Sequence, residues 1–287
     1  MNAIDRLLHG SIDMHVHYGP HPSKEARFDA LQGTLMASEA GMRAIVLKNH
    51  EYQTATLAYI VNQVVGNVTA IGGICLNSEA GGLNPCVVET SAKLGAKIVW
   101  MPTISSNYQI QDKTNKEDGI SILDCCGKLL PVVGEVLDIA KKYDMVVATG
   151  HVSVNAAFVL ADEARNRGLW KLVATHALGM EPGEYFSLED QCKIADKGAF
   201  IEHCFFLAMP EFRRDPKLMA EAIRVVGAER CILSTDLGQV YNPAPAEGMR
   251  MMIGYMLKCG LTEKEIELMV KTNPARLLGL DYNIQLA

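Results

Sequence analysis

The sequence lacks any uninterrupted apolar run long enough to span a bilayer. It also lacks a positively charged N-terminal region followed by an apolar stretch, which an export signal would require. The first nine residues form a short amphipathic lead-in instead. From these absences we expect a cytoplasmic protein that has no membrane segment.

An excess of positive charge is absent as well. The chain has 27 lysines and arginines against 33 aspartates and glutamates, which gives a formal net charge of -6. This balance argues against nucleic acid as the main partner. No Gly-X-Gly-X-X-Gly motif follows the first strand, and no Gly-Lys-Ser/Thr phosphate loop or Gly-X-Ser-X-Gly turn is present. The sequence therefore supports neither a nucleotide cofactor nor serine hydrolysis.

The eight cysteines do not form a recognisable disulfide framework. Cys75, Cys204 and Cys231 lie in or beside apolar strands, where reduced cysteine is usually buried. Cys125 and Cys126 are neighbours in an Asp-Cys-Cys-Gly turn and form no Cys-X-X-Cys pair. We expect structural, reduced thiols, while a redox or soft-metal role for the Cys125-Cys126 pair stays open.

The chain alternates between strand-like and helix-like segments over its whole length. The strand-like runs are nearly continuous in apolar residues, which is typical of parallel strands covered on both faces. The eight runs are residues 12–18, 44–49, 68–76, 97–104, 145–150, 172–176, 199–206 and 231–236. Segments with helical periodicity lie between them at residues 28–41, 54–66, 85–95, 130–143, 155–168, 188–198 and 216–227. Most of these end in glycine, the usual helix stop.

This alternation predicts a single (β/α)8 barrel domain over residues 1–287, with an extra C-terminal helix. A doubly wound open sheet is the rival architecture. It is disfavoured because the candidate ligands lie on the first, fifth, sixth and eighth strands, and only closure makes the first and eighth strands neighbours. The polar stretch 105–119 is predicted to be a loop over the active face.

The clearest chemical signal is His15-Val-His17 at the end of the first strand. Side chains at positions i and i+2 of a strand point to the same side, and two imidazoles can hold one divalent ion. Three later strands also end in a ligand-type residue, namely His151, His176 and Asp236. Because barrel enzymes build their sites at the C-terminal ends of the strands, all five side chains should meet at one mouth.

This order of ligands resembles the amidohydrolase superfamily of metal-dependent hydrolases. The segment 262–279, which ends Thr272-Asn-Pro-Ala-Arg-Leu-Leu-Gly279, is similar to the closing helix of many members. The resemblance spans nearly the whole chain, from His15 to Gly279.

The resemblance implies roles for five residues. His15, His17, His151 and Asp236 would bind one or two divalent ions, with zinc the expected metal. Asp236 would also take a proton from the attacking water and return it to the leaving group. His176 would complete a second metal site or hydrogen-bond the water or substrate.

The fourth strand departs from the two-metal pattern of that superfamily. Members with two ions carry a carboxylated lysine or a glutamate at its end, whereas here it reads Lys97-Ile-Val-Trp-Met-Pro-Thr-Ile104. The run holds no carboxylate, and its lysine is at the wrong end. A site for a single ion is therefore favoured.

The second strand ends Lys48-Asn-His50, with both side chains on the face next to the His15 strand. One interpretation is a solvated lysine and a loop-capping histidine. The other gives both residues to the active face, with His50 as a ligand or acid–base group. A bare ammonium beside a divalent ion is repelled. On that interpretation Lys48 is therefore either carboxylated or directed at the substrate space.

The seventh strand contains Glu202 and His203, which point to opposite faces, so one of them at most enters the barrel. We favour His203 as the active-face residue. The basic residues Lys24, Arg27, Arg213 and Arg214 lie near expected mouth loops and would suit a carboxylate-bearing substrate.

The leading function is a hydrolase of a small amide, cyclic amide, lactone or ester that uses metal-activated water. A non-hydrolytic lyase or hydratase acting on a small carboxylate with the same ligands is the alternative. A phosphoesterase and a catalytically silent metal-binding scaffold fit less well. Met249, Met251, Met252 and Met256 lie in one helical stretch, and core packing or a homo-oligomer face would explain them.

Overall fold

The computed structural model describes residues 2–114, 119–179 and 186–280. Eight parallel strands pair in chain order to form one sheet. They are β1 (Ile12–Val16), β2 (Ala44–Leu47), β3 (Thr69–Cys75), β4 (Ile98–Trp100), β5 (Val146–Ala148), β6 (Leu172–Ala174), β7 (Phe200–Cys204) and β8 (Cys231–Ser234).

Backbone hydrogen bonds between the first and last strands close the sheet. The Asp236 amide donates to the His15 carbonyl at 2.8 Å, and the His17 amide donates to the Leu237 carbonyl at 2.8 Å. The prediction of a (β/α)8 barrel is confirmed, and the open doubly wound sheet is wrong. Each strand is shorter than its predicted run because the backbone leaves the ladder at the C-terminal end, where the candidate site residues lie.

Helices surround the barrel in the described part of the chain. They are α1 (Ala3–Leu8), α2 (Ala30–Glu39), α3 (Ala55–Val64), α4 (Pro85–Lys93), α5 (Asn107–Thr114), α6 (Pro131–Lys142), α7 (Val154–Asn166), α8 (Leu188–Asp196), α9 (Pro216–Val226), α10 (Pro245–Lys258), α11 (Glu263–Glu267) and α12 (Asn273–Leu278). Short 3₁₀ turns occupy Ser78–Ala80, Phe205–Ala208 and Ala228–Arg230, and a π-helical turn at Leu268–Thr272 joins α11 to α12.

The stretch predicted as a loop over the active face contains the helix α5. The loop prediction was therefore wrong for residues 107–114, and residues 115–118 lie outside the described part of the chain. The polar composition of this stretch suggested a loop. A short helix above a barrel mouth covers little of the core, however, and therefore needs few apolar residues.

Two apolar layers hold the barrel together. The inner layer fills the barrel with alternate strand residues such as Ile12, Met14 and Trp100, and the outer layer joins the strands to the helices. Leu277 and Leu278 of α12 are fully buried against the inner layer. Since burying a leucine side chain contributes about 2 kcal/mol, this C-terminal helix is part of the core.

The helix signals in the sequence correspond to real caps. The side chains of Asn84 and Asp215 accept hydrogen bonds from the first turns of α4 and α9, and a proline follows each of them.

No helix in the described ranges combines the length and the hydrophobicity that a membrane crossing requires. Cys75, Cys204 and Cys231 are buried, as predicted.

Candidate metal centre

The site residues lie where the backbone leaves the strands under strain. His176, after β6, has a φ of 29°, and Asp236, after β8, has a φ of 55°. Non-glycine residues rarely adopt such angles, and those that do cluster at functional sites. Gly238 follows with a φ of 146°, and a Cβ atom there would stand 2.1 Å from the His17 carbonyl oxygen. Only glycine lets this loop pass so close to His17.

His15, His17 and Asp236 form the centre of the site. The Asp236 Oδ1 atom lies 3.0 Å from the Nε2 atom of His15 and 3.0 Å from the Nε2 atom of His17. The donor atoms of the three residues all lie within 4.8 Å of one another. Two imidazoles and a carboxylate at this spacing are a set of donors that a divalent ion accepts.

Glu202 of β7 holds the other nitrogen of His15. The His15 Nδ1 atom lies 3.3 Å from Glu202 Oε2, which also accepts a hydrogen bond from the His176 amide at 3.2 Å. Histidine ligands commonly donate their second N–H to a carboxylate, which fixes the tautomer and the ring orientation. Glu202 thus directs the His15 Nε2 atom toward His17 and Asp236.

Asp13 sets the direction in which the two histidines of β1 point. The pairing of β1 with β2 shifts register between Asp13 and Val16, so that Met14 faces the barrel interior while Val16 faces the helices. The Asp13 Oδ1 atom accepts hydrogen bonds from the amides of His15 at 3.1 Å and Thr235 at 3.0 Å. The irregularity turns His15 and His17 into the mouth.

Lys48, directly after β2, reaches the centre and is buried, so it is not the solvated lysine of the first interpretation. Its Nζ atom lies 2.9 Å from His15 Nε2 and 5.6 Å from the centre of the Trp100 ring. Trp100 is the last residue of β4 and belongs to the inner core layer. An indole cannot supply the bridging oxygen of a two-ion site, which agrees with the absence of a carboxylate on this strand.

Three more histidine rings line the same mouth. The ring centres of His151 and His176 are 4.8 Å apart, and those of His50 and His17 are 4.9 Å apart. The structure therefore brings together every predicted site residue from the first, second, fifth, sixth and eighth strands.

The rings of His151 and His50 are held by polar partners from other elements. Gln109 of α5 places Oε1 at 2.7 Å from His151 Nδ1, and Thr103 places Oγ1 at 2.8 Å from His50 Nδ1. The Asn77 side chain in turn donates to the Thr103 hydroxyl at 2.6 Å. These contacts engage the Nδ1 atom of each ring, so Nε2 is the nitrogen that points away from Gln109 and Thr103.

His203 does not join this group, contrary to our expectation. It pairs in the sheet with Leu233, which packs in the outer apolar layer, whereas Glu202 pairs with Ile232 of the inner layer. The His203 ring is fully buried and has no hydrogen-bond partner among the described residues. Glu202 is the residue of this pair that reaches the site.

The electrostatics of the site favour the protonation states that bind a metal ion. Burial opposes ionisation of Asp236, but the neighbouring charge of His15 outweighs it and holds the pKa of Asp236 well below its usual range. Burial lowers the pKa of His17 to about 3 and that of His176 to about 4, so both rings are neutral at pH 7. Metals bind the neutral imidazole and the ionised carboxylate.

His15 is the exception, because it lies between two carboxylates. Burial lowers its pKa, but the charges of Asp236 and Glu202 raise it to about 9 in the metal-free protein. At pH 7 the metal-free ring is therefore protonated on both nitrogens. Loss of the Nε2 proton gives the neutral tautomer, in which Nδ1 donates to Glu202 and Nε2 can accept from Lys48. This is also the tautomer in which Nε2 can bind a metal.

Unsatisfied polar atoms show that the residues present fit a divalent ion. Asp236 Oδ2 and both ring nitrogens of His176 are buried without a hydrogen-bond partner in the described residues. Leaving such atoms unpaired costs about 1–3 kcal/mol each, and a bound ion or substrate at this point would offset that cost.

A cavity of about 590 Å³ opens above these residues. Its walls include the apolar side chains of Ile104, Ile110, Phe206 and Phe212. Of the four basic residues expected near the mouth, Lys24 lines the cavity. Arg27, Arg213 and Arg214 are not among the described residues that line it, and the first two donate to the backbone carbonyls of Asn242 and Pro210.

Comparison with solved structures identifies the class of fold. An amidohydrolase from Pseudomonas aeruginosa matches with a TM-score of 0.65 and 14% identity over 96% of this chain and 98% of that chain. A probable dipeptidase from the same organism matches with a TM-score of 0.69 and 12% identity over 96% of each chain. A 2,6-dihydroxybenzoate decarboxylase from Rhizobium matches with a TM-score of 0.54 and 13% identity over 95% and 99%. The chain shares the (β/α)8 barrel fold of these structures.

The sequence itself identifies the family. Residues 10–202 match the model of a family of unknown function (DUF6282), and the chain belongs to that family. No curated protein matches it.

Asp13 and Gln109 are among the site residues that local sequence patterns did not single out. Asp13 was overlooked although it stands two residues before His15, and an acidic residue in a buried strand is a signal because it needs several donors. Gln109 was hidden in the stretch predicted as a loop, and no local pattern distinguishes it from other polar residues there.

Proposed function

We propose that this chain is a metal-dependent hydrolase in which His15, His17 and Asp236 hold one divalent ion. The observation that carries the proposal is the convergence of their donor atoms within 4.8 Å. We propose Zn²⁺ as the ion because two imidazoles and a carboxylate are a common zinc set. His151 and His176, with rings at the same mouth, complete the ligand set or contact the substrate.

A divalent ion bound there supplies Lewis acidity and lowers the pKa of water from about 15.7 to about 7. Asp236 performs the proton transfer, because its Oδ2 atom is buried, unpartnered in the described residues and part of an ionised carboxylate. It takes a proton from the attacking water and returns it to the leaving group. Glu202 keeps His15 oriented throughout.

The cavity limits the substrate to a small molecule. Its volume of about 590 Å³ suits a compact amide, cyclic amide, lactone or ester. Phe206 and Phe212 stack edge to face with ring centres 5.2 Å apart and form one apolar wall. The resemblance to a probable dipeptidase supports amide hydrolysis on this fold.

A lyase acting on a small carboxylate is the second candidate. The buried Lys48 ammonium favours it, since a fixed cation beside the metal ligands suits a carboxylate group. The resemblance to a 2,6-dihydroxybenzoate decarboxylase supports this candidate on the same fold.

Metal analysis followed by a substrate panel tests both candidates. Protein purified without chelator is expected to contain close to one equivalent of divalent metal by mass spectrometry. A panel of dipeptides, cyclic amides, lactones and aromatic carboxylates is then assayed in isotopically labelled water. Label in the product identifies hydrolysis, whereas release of CO₂ identifies the lyase. A protein that neither retains nor binds a divalent ion would contradict the proposal.

A further inference from the structure

Lys48 is a buried cation that forms no ion pair with any described residue. Its side chain is among the largest that are fully buried, and its polar partner in the described residues is His15 Nε2 at 2.9 Å. No carboxylate of the described residues forms an ion pair with it, although Asp236 and Glu202 both contact His15. Buried charges are normally paired, because removing an ammonium from water is costly. The position therefore leaves room for an anion in direct contact with the ammonium, which no described residue supplies.

The atom that Lys48 contacts, His15 Nε2, is also the one that a metal needs. Glu202 engages His15 Nδ1, which leaves Nε2 as the nitrogen available to a divalent ion. An ion bound there would occupy Nε2, so that Lys48 could not use it as an acceptor, and would add positive charge next to the ammonium. Metal binding would therefore leave Lys48 without this acceptor and without a contacting anion among the described residues.

We propose that Lys48 binds the carboxylate of the substrate, and that this anion and the metal strengthen each other's binding. The inference rests on the proposed metal site and names its substrate class, a carboxylate with an apolar body. The carboxylate lies against Lys48 at the floor of the cavity, and the apolar body lies along Phe206 and Phe212.

The rim of the cavity does not provide a comparable anion site. Lys24 lines it together with the acidic residues Glu25 and Glu211, so that the rim has mixed charge. His21 contacts Glu51 at 3.2 Å. Lys48 is the cation that lies on the cavity floor beside the metal ligands.

Calorimetric titration of Zn²⁺ into metal-free protein tests the coupling directly. Benzoate serves as the anionic probe, and benzamide is its neutral counterpart of nearly the same shape. Saturating benzoate is expected to tighten Zn²⁺ binding about tenfold, and Zn²⁺ is expected to tighten benzoate binding by the same factor, because coupling is reciprocal. Benzamide should change Zn²⁺ affinity less than about twofold.

Two variants locate the anion. Lys48→Met is expected to bind Zn²⁺ more tightly than the wild type in the absence of benzoate and to lose the coupling. Lys24→Met, at the rim of the same cavity, should retain it. Loss of coupling in Lys24→Met but not in Lys48→Met would overturn the proposal. If Lys48→Met does not fold, the difference between benzoate and benzamide in the wild type still decides whether an anion is coupled to the metal.

Failure of this inference can be told from failure of the proposed function. Wild-type protein that binds no Zn²⁺ under any condition would refute both. Wild-type protein that binds Zn²⁺ equally with and without benzoate would refute the Lys48 proposal alone. An intact mass that shows one added CO₂ on Lys48, together with weaker Zn²⁺ binding in Lys48→Met, would make Lys48 a carboxylated ligand and overturn its role as an ammonium.

Discussion

Asp13 and Thr235 join the first and last strands of the barrel through two hydrogen bonds. The Thr235 amide donates to Asp13 Oδ1 at 3.0 Å, and the Thr235 hydroxyl donates to Asp13 Oδ2 at 2.5 Å. Because Asp13 Oδ1 also accepts from the His15 amide, one buried carboxylate fixes both the closure of the barrel and the irregularity in β1. Asp13 thus acts on the direction of the two histidines through a hydrogen bond to the backbone.

Two replacements of Asp13 should distinguish the contribution of its hydrogen bonds to stability from the contribution of its charge. Burial outweighs the hydrogen bonds to Asp13 and raises its pKa to about 7, so the charge itself stabilises little. Asp13→Asn can still accept from both amides and is expected to change the free energy of unfolding by about 1 kcal/mol or less. Asp13→Ala leaves buried amides unpaired and should cost about 2–4 kcal/mol. Urea unfolding measures both values, and equal losses in the two variants would contradict this account.

The metal ligands of β1 are tested by a double replacement. His15→Ala with His17→Ala removes two of the three donors that converge at the centre. Near-stoichiometric metal in the wild type should fall to background in the variant, while the circular dichroism spectrum of the barrel is unchanged. Full metal content in the folded variant would show that the ion lies elsewhere.

Asp236→Asn should distinguish proton transfer from metal binding. The amide keeps the shape and one oxygen donor, but it cannot accept a proton at neutral pH. Turnover is expected to fall about 100- to 10,000-fold, with a smaller loss of metal affinity. The measurement is kcat at saturating metal together with the metal Kd. Near-normal turnover in the metal-loaded variant would place the proton transfer on another residue.

The sequence alone was sufficient for the barrel and for most of its mouth. Apolar strands covered on both faces and glycine-terminated helices are local signals. Eight such strands predict a closed barrel, in which the first and last strands are neighbours. His15, His151, His176 and Asp236 were found because barrel strands deliver their last residues to a common point.

The remaining details depend on contacts that local patterns do not encode. Regular alternation separates Glu202 from His203 but cannot say which one faces inward, since that depends on the register of β7 against β8. Asp13 acts through a hydrogen bond to a residue 222 positions away. Gln109 reaches His151 through a helix whose polar composition was typical of a loop.

Glu202→Gln should weaken metal binding without removing a ligand. Burial opposes the charge of Glu202, but the neighbouring His15 outweighs it and lowers the pKa of Glu202 to about 2, so the residue is ionised at pH 7. A neutral amide still orients His15 but no longer stabilises positive charge on its ring. Metal affinity is expected to fall about 10- to 100-fold, as is usual for the partner of a histidine ligand. Calorimetric titration with Zn²⁺ measures the change, and unchanged affinity would limit Glu202 to a packing role.

His203→Leu is the matched control on the opposite face of the same strand, and it also carries a pH-dependent expectation. Burial lowers the pKa of His203 from 6.5 to about 4. Above pH 6.5 the ring is neutral in both the folded and unfolded states. As the pH falls toward 4, the unfolded state takes up a proton that the folded state does not, so stability is lost. For these two pKa values the loss is about 2 kcal/mol at pH 5.

The leucine variant lacks this group, whereas the other buried histidines contribute equally to both proteins. Between pH 7 and pH 5, the metal-free wild type should therefore lose about 2 kcal/mol more stability than the variant in urea unfolding. Zn²⁺ affinity should be the same in the two proteins, because the ring packs in the outer layer away from the ligands. Equal losses of stability in the wild type and the variant would mean that the buried His203 ring is protonated in the folded state at pH 5. Weaker Zn²⁺ binding in the variant would show that His203 contributes to the metal site.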